Sequence, residues 1–146
     1  MRYLALGLLL AATSTWSQVE IDKPWIRASA PGQKIAAGYM TVRNKAAQSD
    51  RLVGASSPMA AKVETHVNVK DGDIQRMREV KGYEIPANGA FELKPGGAHL
   101  MFVDIKRPFK EGEKILAVLK FEKAGEVKVE FQVAPLGGAG PGHAGH

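Results

Sequence analysis

Four side chains of this sequence have the chemistry to hold one soft metal ion. They are His66, Met77, His99 and Met101: two imidazoles and two thioethers within 36 residues of a chain with only four histidines and five methionines. His99 and Met101 stand two apart in Gly97-Ala98-His99-Leu100-Met101-Phe102, a stretch that reads as a strand. Side chains alternate faces along a strand, so these two point the same way. Thioethers are poor ligands for Zn(II), Mg(II) and Ca(II) but good ones for Cu(I), while imidazole serves either copper oxidation state. All four groups coordinate as neutral species. A site built from them stays cationic with Cu(I) bound, which suits release of the ion.

The positions of the other two residues support convergence. Along the strand around His66, Val63, Thr65, Val67 and Val69 share one face, and Lys62, Glu64, His66 and Asn68 share the other. His66 thus belongs to a polar face. Met77 sits among charges in Gln75-Arg76-Met77-Arg78-Glu79, away from any apolar pattern that would bury it. The hairpin signal Asp71-Gly72-Asp73 folds residues 73–78 back beside 64–69. That puts His66 and Met77 on neighbouring strands, where opposed side chains lie roughly 5 Å apart. The strand bearing His99 is apolar on both faces and reads as central. The turn at Gly96-Gly97 places His99 and Met101 at its end, near solvent. Any one of these residues alone has an ordinary reading, as a surface histidine or a packing methionine. The combination carries the site. Met40 and Met59 fall at no ligand position and read as packing.

The elements that must position these residues are strands. Turn signals recur about every ten residues, among them Ala30-Pro31-Gly32-Gln33, Pro86-Ala87-Asn88-Gly89, Lys94-Pro95-Gly96-Gly97 and Lys110-Glu111-Gly112-Glu113. No helical periodicity is sustained between them. The pattern predicts an all-β Greek-key β-sandwich or barrel. Expected strands include 36–43, 52–56, 63–69, 74–80, 91–93, 98–105, 115–122 and 127–133. A first strand around Val19 to Arg27 is interrupted by Pro24, which suggests a sheet edge.

Composition narrows the function. The chain has 146 residues, 45% hydrophobic and 24% charged, consistent with one globular domain. It contains no cysteine. That removes any disulfide framework, any thiolate nucleophile and the thiolate that a blue-copper electron-transfer site requires. There is no Ser-His-Asp order, Walker loop or dinucleotide fingerprint, so the chain does not read as an enzyme. The net charge of +5 becomes +4 without Arg2 and is spread among acids, which gives no nucleic-acid footprint. Residues 1–17 read as a cleavable secretory signal, with Arg2 before the apolar run Tyr3 to Ala12 and small residues at Thr15 and Ser17. The run is too short for a permanent membrane span, and a lipid anchor would need a cysteine after the signal. The expected product is an exported soluble domain over residues 18–133, with a disordered Gly/Pro-rich tail over 134–146. The tail carries His143 and His146, a candidate secondary Cu(II) site.

The full pattern, His66, ten residues, Met77, twenty-one residues, then His99-x-Met101, resembles the metal motif of the PCu(A)C periplasmic copper chaperone family. Further stretches are similar to that family: Trp25-Ile26-Arg27-Ala28, Ala30-Pro31-Gly32, Asp50-Arg51-Leu52-Val53, Lys94-Pro95-Gly96-Gly97 and Phe121-Glu122-Lys123-Ala124-Gly125. The resemblance covers about residues 19–133. It implies a cupredoxin-like β-sandwich, a single Cu(I) site, and delivery of copper to the binuclear copper centre of cytochrome c oxidase or exchange with another copper chaperone. One position departs from the pattern: many relatives have a methionine two residues after the first histidine, and this chain has Asn68. The expectation is a monomeric periplasmic Cu(I) metallochaperone. Two competing readings are a CopC-type copper sequestration or resistance protein, and a metal-free β-sandwich interaction domain.

Overall fold

The computed structural model describes residues 18–136. Ten strands follow in order: β1 (Val19–Arg27), β2 (Ile35–Asn44), β3 (Asp50–Ser56), β4 (Ala60–Asp71), β5 (Ile74–Glu79), β6 (Tyr83–Ile85), β7 (Gly89–Leu93), β8 (Ala98–Ile105), β9 (Lys114–Phe121) and β10 (Gly125–Ala134). Among the described residues there is no helix. The sheet order is β5-β4-β8-β2-β1-β10-β9-β3-β6, with β7 paired on β2. Ala55 of β3 also pairs with Val63 of β4. Seven strands (β4, β8, β2, β1, β10, β9 and β3) therefore close into a barrel, which leaves these strands no free edge. The expected all-β class is the class observed.

The core follows from strand alternation. Leu100 and Phe102 of β8, Ile26 of β1, Val42 of β2 and Phe131 of β10 point into the barrel and are fully buried. Phe102 meets Phe109 and Phe131 edge-to-face, at centroid distances of 6.3 and 5.7 Å. Each such pair is worth roughly 0.5–1.5 kcal/mol beyond burial. Gly38 lets β2 cross this cluster: a Cβ there would lie 3.0 Å from the Phe102 ring. The Asp50 carboxylate is buried, and both of its oxygens are hydrogen-bonded. It accepts from the backbone N–H groups of Arg51, Lys123 and Ala124 at 2.7, 2.8 and 2.9 Å and ties the β9–β10 turn to β3.

The structure departs from the sequence expectations at three points. The first strand is not an edge, because β1 lies between β2 and β10. Pro24 is accommodated at a register shift between Asp22 and Trp25, where Lys23 takes a φ of 49°. A bulge removes the need for a ladder hydrogen bond at the proline. It also resets parity, so Val19 and Ile21 face the core on one side of it and Ile26 on the other. The short strand β6 had no counterpart in the sequence reading, because three residues are too few to display an alternation. At the other end, β10 runs to Ala134, which is buried against Trp25 and Tyr39. The expected signal (1–17) lies outside the described residues, as does the tail beyond Leu136.

Candidate metal centre

The site lies on the outer face of the barrel, where β5, β4, β8 and β2 run side by side. Residues opposed across antiparallel strands share a face. The β4–β8 register opposes His66 to His99 and Glu64 to Met101. These four side chains form a two-by-two block on one face. The β5 register continues the upper row, with Glu79 opposite His66, and the β2 register continues the lower row, with Ala37 opposite Met101. The two imidazole rings stand 5.6 Å apart, centroid to centroid. His99 and Met101, only 3% and 5% exposed, are buried although they face outward. A second apolar cluster of Trp25, Tyr39, Ala134 and Ala37 covers that side of β8, and the Tyr39 ring lies 6.4 Å from His99.

Hydrogen bonds orient both imidazoles. His99 Nδ1 lies 3.2 Å from the Gly97 carbonyl, which can only accept, so Nδ1 carries the proton and donates. His66 Nε2 lies 2.7 Å from Glu64 Oε2, a carboxylate oxygen, so here Nε2–H donates. The remaining ring nitrogens, His99 Nε2 and His66 Nδ1, are buried and have no partner among the described residues. Buried polar atoms rarely go unpaired in native proteins, and a bound ion is one of the few things that accounts for such a group. Two imidazole lone pairs left open on adjacent strands are what a metal ion would satisfy.

Met77 is placed differently from the simplest reading of the hairpin. The β4–β5 loop is Gly72-Asp73, with Gly72 at a φ of 62°, and the register opposes Asn68, not His66, to Met77. Parity is preserved, so Met77 shares the face of His66, but as a diagonal neighbour. Such neighbours are separated by about 7–8 Å in a pleated sheet. Met77 is 55% exposed on the outermost strand. The structure thus brings His66, His99 and Met101 together and leaves Met77 at the open rim. Met40 and Met59 pack in or against the core, as expected. His143 and His146 lie outside the described residues.

Two supporting residues escaped the sequence reading. Glu64 holds His66 through one oxygen and the Lys62 ammonium through the other, at 2.7 Å each. Lys62 first, and then His66, hold the Glu64 carboxyl below the usual carboxylate range. The sequence signal was present, since Glu64 is two residues from His66 on the same face. Glu64, His66 and Glu79 offer ligand atoms within 4.8 Å of one another, but the His66 nitrogen toward Glu64 is the protonated one. Tyr83 is the second. Its buried hydroxyl lies 2.6 Å from the His66 carbonyl and 2.7 Å from that of His99, pinning the two strands where the histidines oppose. Nothing in its spacing announced this.

Burial holds the His99 imidazole below its ordinary pKa, and the Gly97 hydrogen bond opposes that only in part. An unfolded histidine titrates near 6.5, so the unfolded chain takes up this proton before the folded one. The His99 contribution to stability is complete above about pH 6.5 and is lost as pH falls toward the folded value. Urea midpoints of the copper-free protein should be lower at pH 5.5 than at 7.5, with a smaller difference in His99→Gln.

The model of the LpqE-like family matches residues 19–133. The chain belongs to the LpqE-like (PCuAC) family. PCuAC domains are cupredoxin-like β-barrels, and the closed barrel described above has that architecture. The protein named "Putative lipoprotein Lxx21020" of Leifsonia xyli subsp. xyli (strain CTCB07) is 32% identical over 128 residues, covering 87% of this chain and 76% of its own. The copper-bound PCuAC domain from PmoF2 superposes with a TM-score of 0.71 at 30% identity, covering 84% of this chain and 97% of that one. CuI-DR1885 from Deinococcus radiodurans gives 0.61 at 30% identity, covering 78% of each.

Proposed function

We propose that this PCuAC domain is an extracytoplasmic copper chaperone that carries one Cu(I) ion between His66, His99, Met101 and Met77. The observation that carries the reading is the pair of buried, unpartnered imidazole nitrogens on adjacent strands, beside the Met101 thioether. Copper-bound relatives on the same fold support the choice of metal. Softness argues for the reduced ion, since two thioethers suit Cu(I) far better than Cu(II). Two roles follow for the methionines. Met101 is buried and fixed, whereas Met77 stands at the exposed rim and can leave first when a partner's ligand approaches. The lipoprotein name of a relative supports an extracytoplasmic location, as does the apolar run near the N-terminus. We place the protein in the periplasm, with the binuclear copper centre of cytochrome c oxidase as the acceptor.

The direct test of delivery is transfer of Cu(I) from the loaded protein to the copper-free oxidase domain. Transfer with formation of the binuclear centre is expected. Retention of copper against that acceptor would favour sequestration instead.

Glu64 orients His66 in this reading. Partners that fix a ligand's tautomer are typically worth 10–100-fold in metal affinity. Glu64→Ala is expected to weaken Cu(I) about tenfold or more, and Glu64→Gln, which keeps an acceptor oxygen, much less. A competition titration with a Cu(I) chelator measures both.

The tail is proposed to be dispensable for Cu(I). Deleting residues 137–146 should leave the core site's Cu(I) affinity unchanged and reduce Cu(II) uptake where His143 and His146 act together. Loss of Cu(I) affinity on truncation would place the site elsewhere.

A further inference from the structure

On the far side of Met101 from the histidines is a pocket that the copper reading does not use. It has a volume of about 190 Å³, and Arg27, Ser29, Gln33, Tyr39, Met101 and Leu136 contribute to its lining. Arg27 and Ala28 at the end of β1 and β2 residues between Ile35 and Tyr39 build much of its wall, and the stretch Trp25-Ile26-Arg27-Ala28 is one the metal site leaves unexplained.

Two polar groups of this pocket are left without a partner among the described residues. Arg27 Nε is buried and unpartnered, and so is the Ser29 hydroxyl. Among the described residues the Arg27 guanidinium has no hydrogen bond and no salt bridge. It lies 5.9 Å from the centroid of the Trp25 ring, and its charge also acts on the neighbouring Tyr39 phenol. The Gln33 side-chain oxygen is already taken by the Ala30 N–H at 2.8 Å, so its amide nitrogen is the end left over. Among the described residues no acidic side chain lines the pocket. A guanidinium offers five N–H donors in a planar fork that matches a carboxylate bidentately. Leaving it without an acceptor in a half-buried wall is costly unless something else supplies one.

We propose that this pocket binds a carboxylate, and that its occupant in copper exchange is an Asp or Glu side chain of the partner protein. The inference rests on the chaperone reading for its partner, but not for its chemistry. Two observations favour a partner's side chain. The pocket shares Met101 with the copper centre, so an acidic side chain seated there brings its own backbone to the mouth of the site. The charge is also complementary: the chain carries 20 Lys and Arg against 15 Asp and Glu, which favours association with an acidic surface. The Arg27–carboxylate contact would then set the orientation in which copper changes hands.

The test uses the copper-free chain, so failure of the copper site does not affect it. Sodium acetate and a doubly capped glutamate (N-acetyl, C-terminal amide) are titrated against a sodium chloride control of equal ionic strength, with the Arg27 Nε–H and Ser29 amide signals followed by NMR. Both carboxylates are expected to give saturable shifts that chloride does not. Arg27→Gln should weaken them at least about tenfold, the scale of one charged hydrogen-bond pair. Ser29→Ala removes a hydroxyl without changing charge and keeps the test valid where Arg27→Gln fails to fold. It should weaken binding severalfold. Arg27→Gln should leave Cu(I) affinity within about threefold of wild type, since Arg27 is not a ligand. Signals that move equally with chloride would overturn the pocket. Binding of acetate with exclusion of the capped glutamate would overturn the assignment to a protein partner. A large loss of Cu(I) affinity in Arg27→Gln would overturn its separation from the metal centre.

Discussion

His99→Ala is expected to reduce affinity for both Cu(I) and Cu(II) by more than about 100-fold, because loss of a direct ligand should exceed the 10–100-fold cost of losing its supporting partner. His99 is the best-determined member of the proposed site. Its Nδ1 proton is committed to the Gly97 carbonyl and its Nε2 is buried with nothing to bind. Imidazole serves either oxidation state, so the loss should not discriminate between them. The substitution also empties a nearly buried position, and a melting curve of the copper-free variant separates a lost ligand from a lost fold. A folded variant that keeps wild-type affinity for Cu(I) would remove His99 from the site.

Met101→Ala is expected to separate the two oxidation states. Cu(I) affinity should fall about 100-fold, while Cu(II) affinity changes by only a few-fold, because a thioether contributes little to the harder ion. The thioether does not ionise, so the pH dependence of binding should remain that of the histidines. Met77→Ala should act in the same direction but less strongly. Met77 is half exposed at the rim, and the register sets it diagonal to His66. Competition titrations under anaerobic conditions for Cu(I), and in air for Cu(II), read both arms. Equal losses for the two ions would mean that Met101 acts by packing and not by its sulfur.

Much of this molecule was legible in its sequence because strands advertise themselves by alternation and by the turns between them. β8 (Ala98–Ile105) matches its expected bounds, since Gly96-Gly97 opens it and apolar residues fill both faces. The shared face of Glu64, His66 and Asn68 followed from parity alone. Register was less legible. The Asp71-Gly72-Asp73 signal located the hairpin, but a two-residue slip preserves every face and so leaves no trace in the pattern. The structure resolves that slip by opposing Glu79, not Met77, to His66. The environment of β1 was misread because Pro24 normally marks an edge. A bulge centred on Lys23 absorbs the proline inside a paired strand, and no local residue requires it. Tyr83 depends on contacts with two other strands, which spacing along its own strand does not encode.

The central claim is that one Cu(I) ion is shared by imidazole nitrogens of β4 and β8 and by the sulfur of Met101. Copper K-edge X-ray absorption of the Cu(I)-loaded domain lacking residues 137–146 tests it most directly. The account predicts one copper per chain with a mixed shell of imidazole nitrogen and thioether sulfur, and loss of sulfur scattering in the Met77→Ala, Met101→Ala double variant. A shell with nitrogen or oxygen alone in the wild-type domain would contradict it.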